Sequence, residues 1–480
     1  MSAQSAPLVR RNVWTLPSGD TTIDDYAKAV AIMKSRSASD PTSWTYQAAM
    51  HGTHAAQTRP LWNGCQHGSW FFLPWHRMFL YYFERIVRAA VVQAGGNPHW
   101  TLPYWDYGAG GQQARIPTAF RGPTVSGNPN PLFVQQRAQG INSGGALPSS
   151  VTTDQFALSR PRYSGVPQLG GGVVPAQQFA GQFGQLEQTP HNDVHGVVGG
   201  QGGWMNDPDM AAQDPIFWLH HSNIDRIWAE WMQTSTHKNP QTASWLNHQF
   251  SFFDENGHQV TKKCSDVRLI RHQLGYIYET APAGTIAAEE PHEEEAAMAG
   301  AGNSEPDQEA QPELVGASEQ PVQLVGSPAG VEVQIDQQAH SAIVADAGGE
   351  PSHIYLNVED IEGEQNPGTV YGIYVNLPPD ASPQTAEQHH VGNVSFFGIE
   401  RARHPRGDEQ PHNLRVSVEI TDLVRRLQSE GNWDPQHVHV SFRPLGLVPP
   451  DQPELAHALP EEISTSDPPV TIGRVSLSYE

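Results

Sequence analysis

The sequence predicts a mainly helical N-terminal domain, an acidic linker and an all-β, sandwich-like C-terminal domain. Three observations carry this. Residues 1–280 are rich in Trp and His and show helical periodicity; residues 281–320 hold nine Glu, one Asp and no Lys or Arg; residues 321–480 alternate polar and apolar side chains in short runs. At about 150 residues per domain, 480 residues suit two to three domains.

Three helices are expected in the first part. One starts near Pro74 and runs to Val92, stopped by Gly95-Gly96 with Pro98 beyond. Its stripe His76, Leu80, Phe83 and Val87 turns His76 inward with the apolar residues. Charged residues at Arg77, Glu84, Arg85 and Arg88 break the apolar stretch 70–92, so it reads as a buried helix and not a membrane span. The second is short, with Thr189 as N-cap, Pro190 in first position and Gly199-Gly200 at its end; His191 and His195 share a face. The third opens at Asp214-Pro215 and places His221 and Asp225 one turn apart.

The linker 281–320 is too polar and charged to bury a core and is expected to be disordered. Beyond it, runs at 331–335, 370–375, 414–420, 438–442 and 470–477 alternate with period two between Pro, Gly and Asp clusters, the pattern of an antiparallel sandwich or barrel.

Composition excludes several classes. Lys plus Arg total 28 against 51 Asp plus Glu, a net charge of −23. That balance argues against a nucleic acid or an anionic membrane as the main partner. Two cysteines, Cys65 and Cys264, make no disulfide framework. No apolar stretch follows Arg10-Arg11, so a cytoplasmic location is the default expectation, with export on a partner protein left open.

The 23 histidines carry the chemistry. A lone inward His is ordinarily a hydrogen-bonded core residue, but two imidazoles four apart on one helix reach a single ion. Here that pair is joined by His67 and His76 across the start of an apolar helix, His51 upstream, and His220-His221 on a later helix. Helix-borne groups converging in a bundle are how bundle cores build metal sites. No CxxC occurs, which removes a thiolate zinc site. Imidazole suits zinc, copper, iron and nickel alike. Six to eight His in two groups suggest two ions with space between them for a small bridging ligand.

CQHGSWFFLPWHRMFLYYFE, HNDVHGVVGG and DPIFWLHHSNIDRIWAEW, in this order, resemble the type-3 (binuclear) copper family of tyrosinases, catechol oxidases and molluscan-type hemocyanins. Residues 10–13, 102–107 and 274–279 resemble further motifs of that family, so the likeness covers most of residues 8–280. It implies a four-helix-bundle core around two copper ions, with O2 as co-substrate. His51, His67 and His76 would hold the first ion, and His191, His195 and His221 the second. His51 is preferred to His54 because MetHisGly matches the first-ligand pattern, and the second His of the HisHis pair is the family's ligand, leaving His220 as a neighbour. His99 and His389-His390 match no motif.

Other roles follow from the same resemblance. Cys65 would form a thioether to His67, with a buried thiol as the alternative. Independently of the resemblance, Asp225 lies one turn after His221, where it would accept a ligand N–H and orient the ring, with a surface ion pair to Arg226 as the alternative. Glu187 and Asn192 would hold a water that deprotonates a monophenol, whose pKa is about 10. Gly196 would leave an open approach to the metals and Met205 would lie over the substrate entrance. The C-terminal domain resembles the β-domain of plant polyphenol oxidases and hemocyanins, which can cover the copper site. A forty-residue flexible linker spans about 35 Å, enough for Phe396 or Phe397 to act as a plug.

The function so implied is o-hydroxylation of monophenols and oxidation of o-diphenols to o-quinones, with a small phenol as partner and a homo-oligomer left open. A catechol or o-aminophenol oxidase without monophenolase activity, or a hemocyanin-like O2-binding protein, would share the ligands.

Overall fold

Four helices enclose one buried space in the N-terminal domain of the computed structural model, which describes residues 6–56, 59–279, 312–336, 353–406, 410–434, 436–452 and 467–480. After α1 (Thr22–Ser35) come α2 (Trp44–His51), α3 (Phe72–Gln93), α4 (Asp193–Gly199) and α5 (Pro215–Trp231). α3 begins two residues before its sequence-based start and buries nearly its whole length. α5 starts as its sequence dictates: the Asp214 carboxylate accepts the Ile216 N–H at 3.0 Å and Pro215 occupies the first turn. Arg137, buried, grips the same carboxylate with both arms at 2.7 Å. α4 is entered through an irregular turn at Glu187–Asn192, in which Thr189 is extended. The Thr189 hydroxyl donates to Asp193 at 2.6 Å and steadies that entry.

Strand β1 (Leu8–Arg10) pairs in parallel with β2 (Tyr276–Tyr278), tying the two ends of the helical domain together. Behind this pair lies a buried polar knot on Asp225. One of its oxygens accepts from Arg77 at 2.5 Å; the other accepts from Tyr276 and Tyr278 at 2.6 Å and from Arg10 at 3.2 Å. Arg10 also binds Glu84 of α3 at 2.8 Å. Burial alone would raise the Asp225 pKa, but Arg77 and Arg10 with the two hydroxyls hold it below the ordinary range. The expectation that Asp225 orients a metal-binding imidazole is therefore corrected, as is its pairing with Arg226. It shares a helical turn with His221, but a buried carboxylate is claimed by the strongest donors in reach, here two guanidiniums from α3 and β1.

The C-terminal domain contains β3 (Glu313–Ser318), β4 (Val322–Leu324), β5 (Ala329–Ile335), β6 (Ile354–Glu362), β7 (Val370–Val375), β8 (His390–Val394), β9 (Leu414–Glu419), β10 (Val438–Leu445) and β11 (Val470–Tyr479). They form one antiparallel sheet in the order β8-β7-β10-β5-β3-β11-β6-β9, with β4 also on β11. Leu356 pairs with both Leu477 and Val418 in the core. The sheet curls until its edges nearly meet: a Cβ on Gly392 of β8 would come within 2.6 Å of Val418 on β9. Closure by curling leaves the sheet little exposed edge. The expected linker 281–320 ends early, since β3 lies inside it; residues 280–311 fall outside the described residues.

The domains share cores. Val370, Phe397 and Leu445 pack into the helical core, and Phe183 packs into the β core. Among the described residues no helix is long and apolar enough to cross a membrane. Removing the charge of Asp225 leaves buried Arg77 with carbonyl partners only and Arg10 with Glu84 as its remaining anion, so Asp225→Asn is expected to cost about 3–5 kcal/mol. Denaturant unfolding of the variant checks this; an unchanged midpoint would contradict the central place given to the knot.

Candidate metal centre

Each imidazole of interest is positioned by its element, and four have their outer nitrogen occupied. His51 ends α2, and its Nδ1 donates to the Pro208 carbonyl at 2.9 Å. His76, one turn into α3, donates from Nδ1 to Phe72 O at 2.9 Å. His195 on α4 donates from Nδ1 to Met205 O at 2.5 Å. His191 has its Nδ1 2.9 Å from Asn192 Oδ1. A carbonyl can only accept, so Nδ1 of His51, His76 and His195 carries the proton and Nε2 is left with a bare lone pair. His67 lies in the loop before α3, anchored by its backbone N–H to Gln178 O at 3.0 Å and stacked on Phe179 at 4.7 Å. His221 projects from α5.

The six rings form two triads. Centroids of His51, His67 and His76 lie 5.2–5.6 Å apart, and those of His191, His195 and His221 lie 4.6–5.5 Å apart. The triads meet where His76 stacks on His221 at 4.6 Å. All six are buried. Nε2 of His51, His76 and His191, both nitrogens of His67 and Nδ1 of His221 have no hydrogen-bond partner. Native interiors leave few such atoms unpaired; a cluster of them in one place calls for a shared partner. Nε2 of His195 and His221 face each other at 3.3 Å, the span of two imidazoles sharing one ion at about 2.0–2.1 Å each. Burial drives all six pKa values down, that of His51 to about 4 and the others well below the usual imidazole range. The rings are thus neutral and ready to donate lone pairs.

His220 is also buried beside His191 and His195, but its Nδ1 is engaged with the Tyr107 hydroxyl at 3.1 Å. His54 stands outside the cluster, largely exposed and bound to Asp207 at 2.6 Å. His99 is exposed, and His389 and His390 lie in the β-domain. Cys65 is buried within 4.8 Å of ligating atoms of His51 and His67 and accepts from Gln178 at 3.4 Å. Cys264 is a buried core thiol.

Glu187 is fully buried and accepts the Gly68 N–H, one residue after His67, at 2.9 Å on each oxygen. Burial raises its pKa well above the usual carboxylate range, against the lowering effect of Gly68. Two expectations need correction. The approach over Gly196 is filled: Val370 of β7 lies 2.7 Å from where a Cβ would stand, because the C-terminal domain packs there. Met205 is fully buried in the core, and its contribution is the carbonyl that holds His195.

The β-domain also reaches the rings. Phe397 stacks on His195 at 4.3 Å and lies 5.7 Å from both His67 and His191, whereas Phe396 turns into the β core. The carbonyls of Met205 and Pro208 and the ring of Phe179 had not been expected at the site; a main-chain acceptor has no side-chain signature to read.

Comparison with known proteins agrees with this geometry. The family model described as the common central domain of tyrosinase matches residues 41–234, the polyphenol oxidase middle domain matches 239–289, and a domain of unknown function matches 311–480. Tyrosinase HcTyr1 of Hahella sp. (strain CCB-MM4) is 32% identical over 98% of this chain and 99% of its own. The chain belongs to the tyrosinase family. Within that family, the chloroplastic (+)-larreatricin hydroxylase of Larrea tridentata is 30% identical over 54% of this chain and 47% of its own length. Among solved structures, latent apple tyrosinase superposes with a TM-score of 0.64 at 20% identity, covering 99% of this chain and 98% of that one, a likeness of fold. Membership brings a binuclear copper centre, which the two histidine clusters fit, and copper-dependent oxidation of phenols in general.

The buried rings make stability depend on pH. A histidine whose folded pKa lies below its unfolded value of about 6.5 stabilises the fold above that pH and loses the contribution as pH falls toward the folded pKa. For His51 the window runs from about 6.5 down to about 4. Glu187 and Asp193, with raised pKa values, oppose this, but six imidazoles outweigh two carboxylates. The metal-free protein should therefore show a denaturant midpoint that falls steadily between pH 6.5 and pH 4; a flat or rising midpoint would contradict the neutral-ring assignment.

Proposed function

We propose that this chain oxidises small phenols with O2, hydroxylating monophenols at the ortho position and converting o-diphenols to o-quinones. The observation that carries the reading is the set of six buried imidazoles, five of which hold a nitrogen with no hydrogen-bond partner while Nε2 of His195 and His221 face each other. In this reading His51, His67 and His76 hold one copper ion and His191, His195 and His221 the other. When bound, the pair supplies two-electron redox chemistry with dioxygen.

The protein's own groups do the rest. Main-chain carbonyls behind His51, His76 and His195 keep those rings from turning, so their lone pairs stay aimed inward. Cys65 forms a thioether to the His67 ring, with loss of two hydrogens to O2 as the oxidant. Its support is the closeness of the two side chains. Glu187 takes the phenol proton through a water that Asn192 helps orient. Burial raises the proton affinity of Glu187 and so narrows the gap to a phenol with pKa about 10. Asn192 also keeps its Oδ1 on His191, linking the water to that ring.

Phe397 occupies the space over His195 that an incoming aromatic ring needs, so the C-terminal domain holds the enzyme latent. The relatives described as latent apple tyrosinase and latent aurone synthase share this overall fold and support the reading. Displacing the domain would also uncover Gly196.

Copper-loaded protein is expected to carry two coppers per chain, and His195→Ala should lose one of them together with turnover. Glu187→Gln should lower monophenol turnover by about 100-fold or more while leaving catechol oxidation within a few-fold. Equal losses on both substrates would contradict the role given to Glu187, and oxygen binding without turnover of either substrate after removal of the C-terminal domain would contradict the enzyme assignment.

A further inference from the structure

The short segment Met205–Asp209 touches both triads and the C-terminal domain. Its Met205 carbonyl holds His195 and its Pro208 carbonyl holds His51. Asn206 Oδ1 accepts the Asn366 amide of the β-domain at 2.9 Å. Asp209, whose side chain is 2% exposed, receives two guanidiniums from the β-domain on one oxygen: Arg401, and Arg406 at 2.9 Å. Its other oxygen has no partner. Arg401 sits on the short helix Ile399–Arg403, four residues after the Phe397 ring that covers the centre. Arg406 donates a further hydrogen bond to the Thr53 carbonyl, two residues beyond His51.

We propose that the Asp209–Arg401–Arg406 cluster is the latch that keeps Phe397 over the metal centre. The proposal rests on the reading of the C-terminal domain as an inhibitory cap. In the closed form the carboxylate is buried and its charge is met by the cap's arginines, with His54 Nδ1 3.3 Å away as the nearest helical-domain imidazole. Lifting the cap exchanges two close guanidiniums for water and gives up their charge-assisted hydrogen bonds, so the closed form is favoured by the ion pair and not by ring stacking alone. A cavity of about 260 Å³ reaches the cluster, lined by His54, Asp207, Asp209, Glu400, Arg401 and His404. Water can therefore enter as the latch parts. Release also frees the segment whose carbonyls orient His51 and His195, so opening the cap and loosening one ring of each triad are coupled. Asp209 is in this sense a positioning residue acting through Pro208 and Met205.

The test compares the full chain with Arg401→Gln/Arg406→Gln and Arg401→Lys/Arg406→Lys double variants. Readouts are hydrogen–deuterium exchange of residues 395–406 and phenol oxidation before and after proteolysis of the linker. The glutamine pair should exchange about tenfold faster or more and show raised turnover before proteolysis, with turnover after proteolysis equal to that of the unaltered chain. The lysine pair, which keeps the charge, should stay near the unaltered chain. Exchange and untreated turnover unchanged in the glutamine pair would overturn the latch. If Phe397→Gly raises untreated turnover while the glutamine pair does not, the latch is wrong and the cap reading stands. If the glutamine pair exchanges faster yet neither proteolysis nor Phe397→Gly raises turnover, the latch holds and the inhibitory reading fails.

Discussion

Six imidazoles taken out of water together, four of them with the outer nitrogen pinned, are the constraint around which the rest of the protein is arranged. An unpaired buried nitrogen costs free energy, and these lie within one small volume. The helices that carry them must therefore be held by something other than the rings. Among the supports are Arg137 on Asp214 at the start of α5, the knot of Arg10, Arg77, Tyr276 and Tyr278 on Asp225 further along it, and the carbonyls of Phe72, Met205 and Pro208 behind the rings themselves. Both carboxylates sit on α5, which brings His221 to the place where the triads meet. Stability away from the centre is what allows unsatisfied donor atoms at it.

Much of this was legible in the chain. The apolar stripe of α3, the Asp-Pro start of α5 and the spacing of His191 and His195 are local signals, and the helices lie close to where those signals put them, α3 starting two residues early and α4 three residues after Pro190. The choice of His51 over His54 came from a family pattern; the structure gives its physical counterpart, one ring buried in the cluster and the other largely exposed and hydrogen-bonded to Asp207. What could not be read was which distant group meets a given side chain. Asp225 lies one turn from His221, yet Arg10 and Arg77 reach it across the fold. Met205 acts through its carbonyl, which no residue identity announces. Phe396 and Phe397 are neighbours in the turn after β8, in which the Ile399 N–H donates to the Phe396 carbonyl; only the packed domains show that Phe397 is the one over the rings. β3 was hidden because Glu313–Ser318 continues an acidic stretch and lacks a strong alternating pattern.

The C-terminal domain is as much a part of the centre's surroundings as the helices. Val370 fills the space beside Gly196, the Ser395 hydroxyl donates to the Asn192 carbonyl at 3.0 Å, and the Asn393 amide donates to Asp193 at 2.7 Å. Each contact falls on the turn and helix that carry His191 and His195, so the cap grips the backbone that bears these rings as well as covering them. The nearly closed sheet behind these side chains gives them a rigid base.

The central claim is that two separate triads of neutral imidazoles each present inward nitrogens to one copper. Anomalous scattering at the copper edge from crystals of the loaded protein tests it directly. The account predicts two peaks per chain, one among His51, His67 and His76 and one among His191, His195 and His221, with Nε2 as the bonding atom of His51, His76 and His195. A single peak, or density at His220 or His54 in place of either triad, would contradict it.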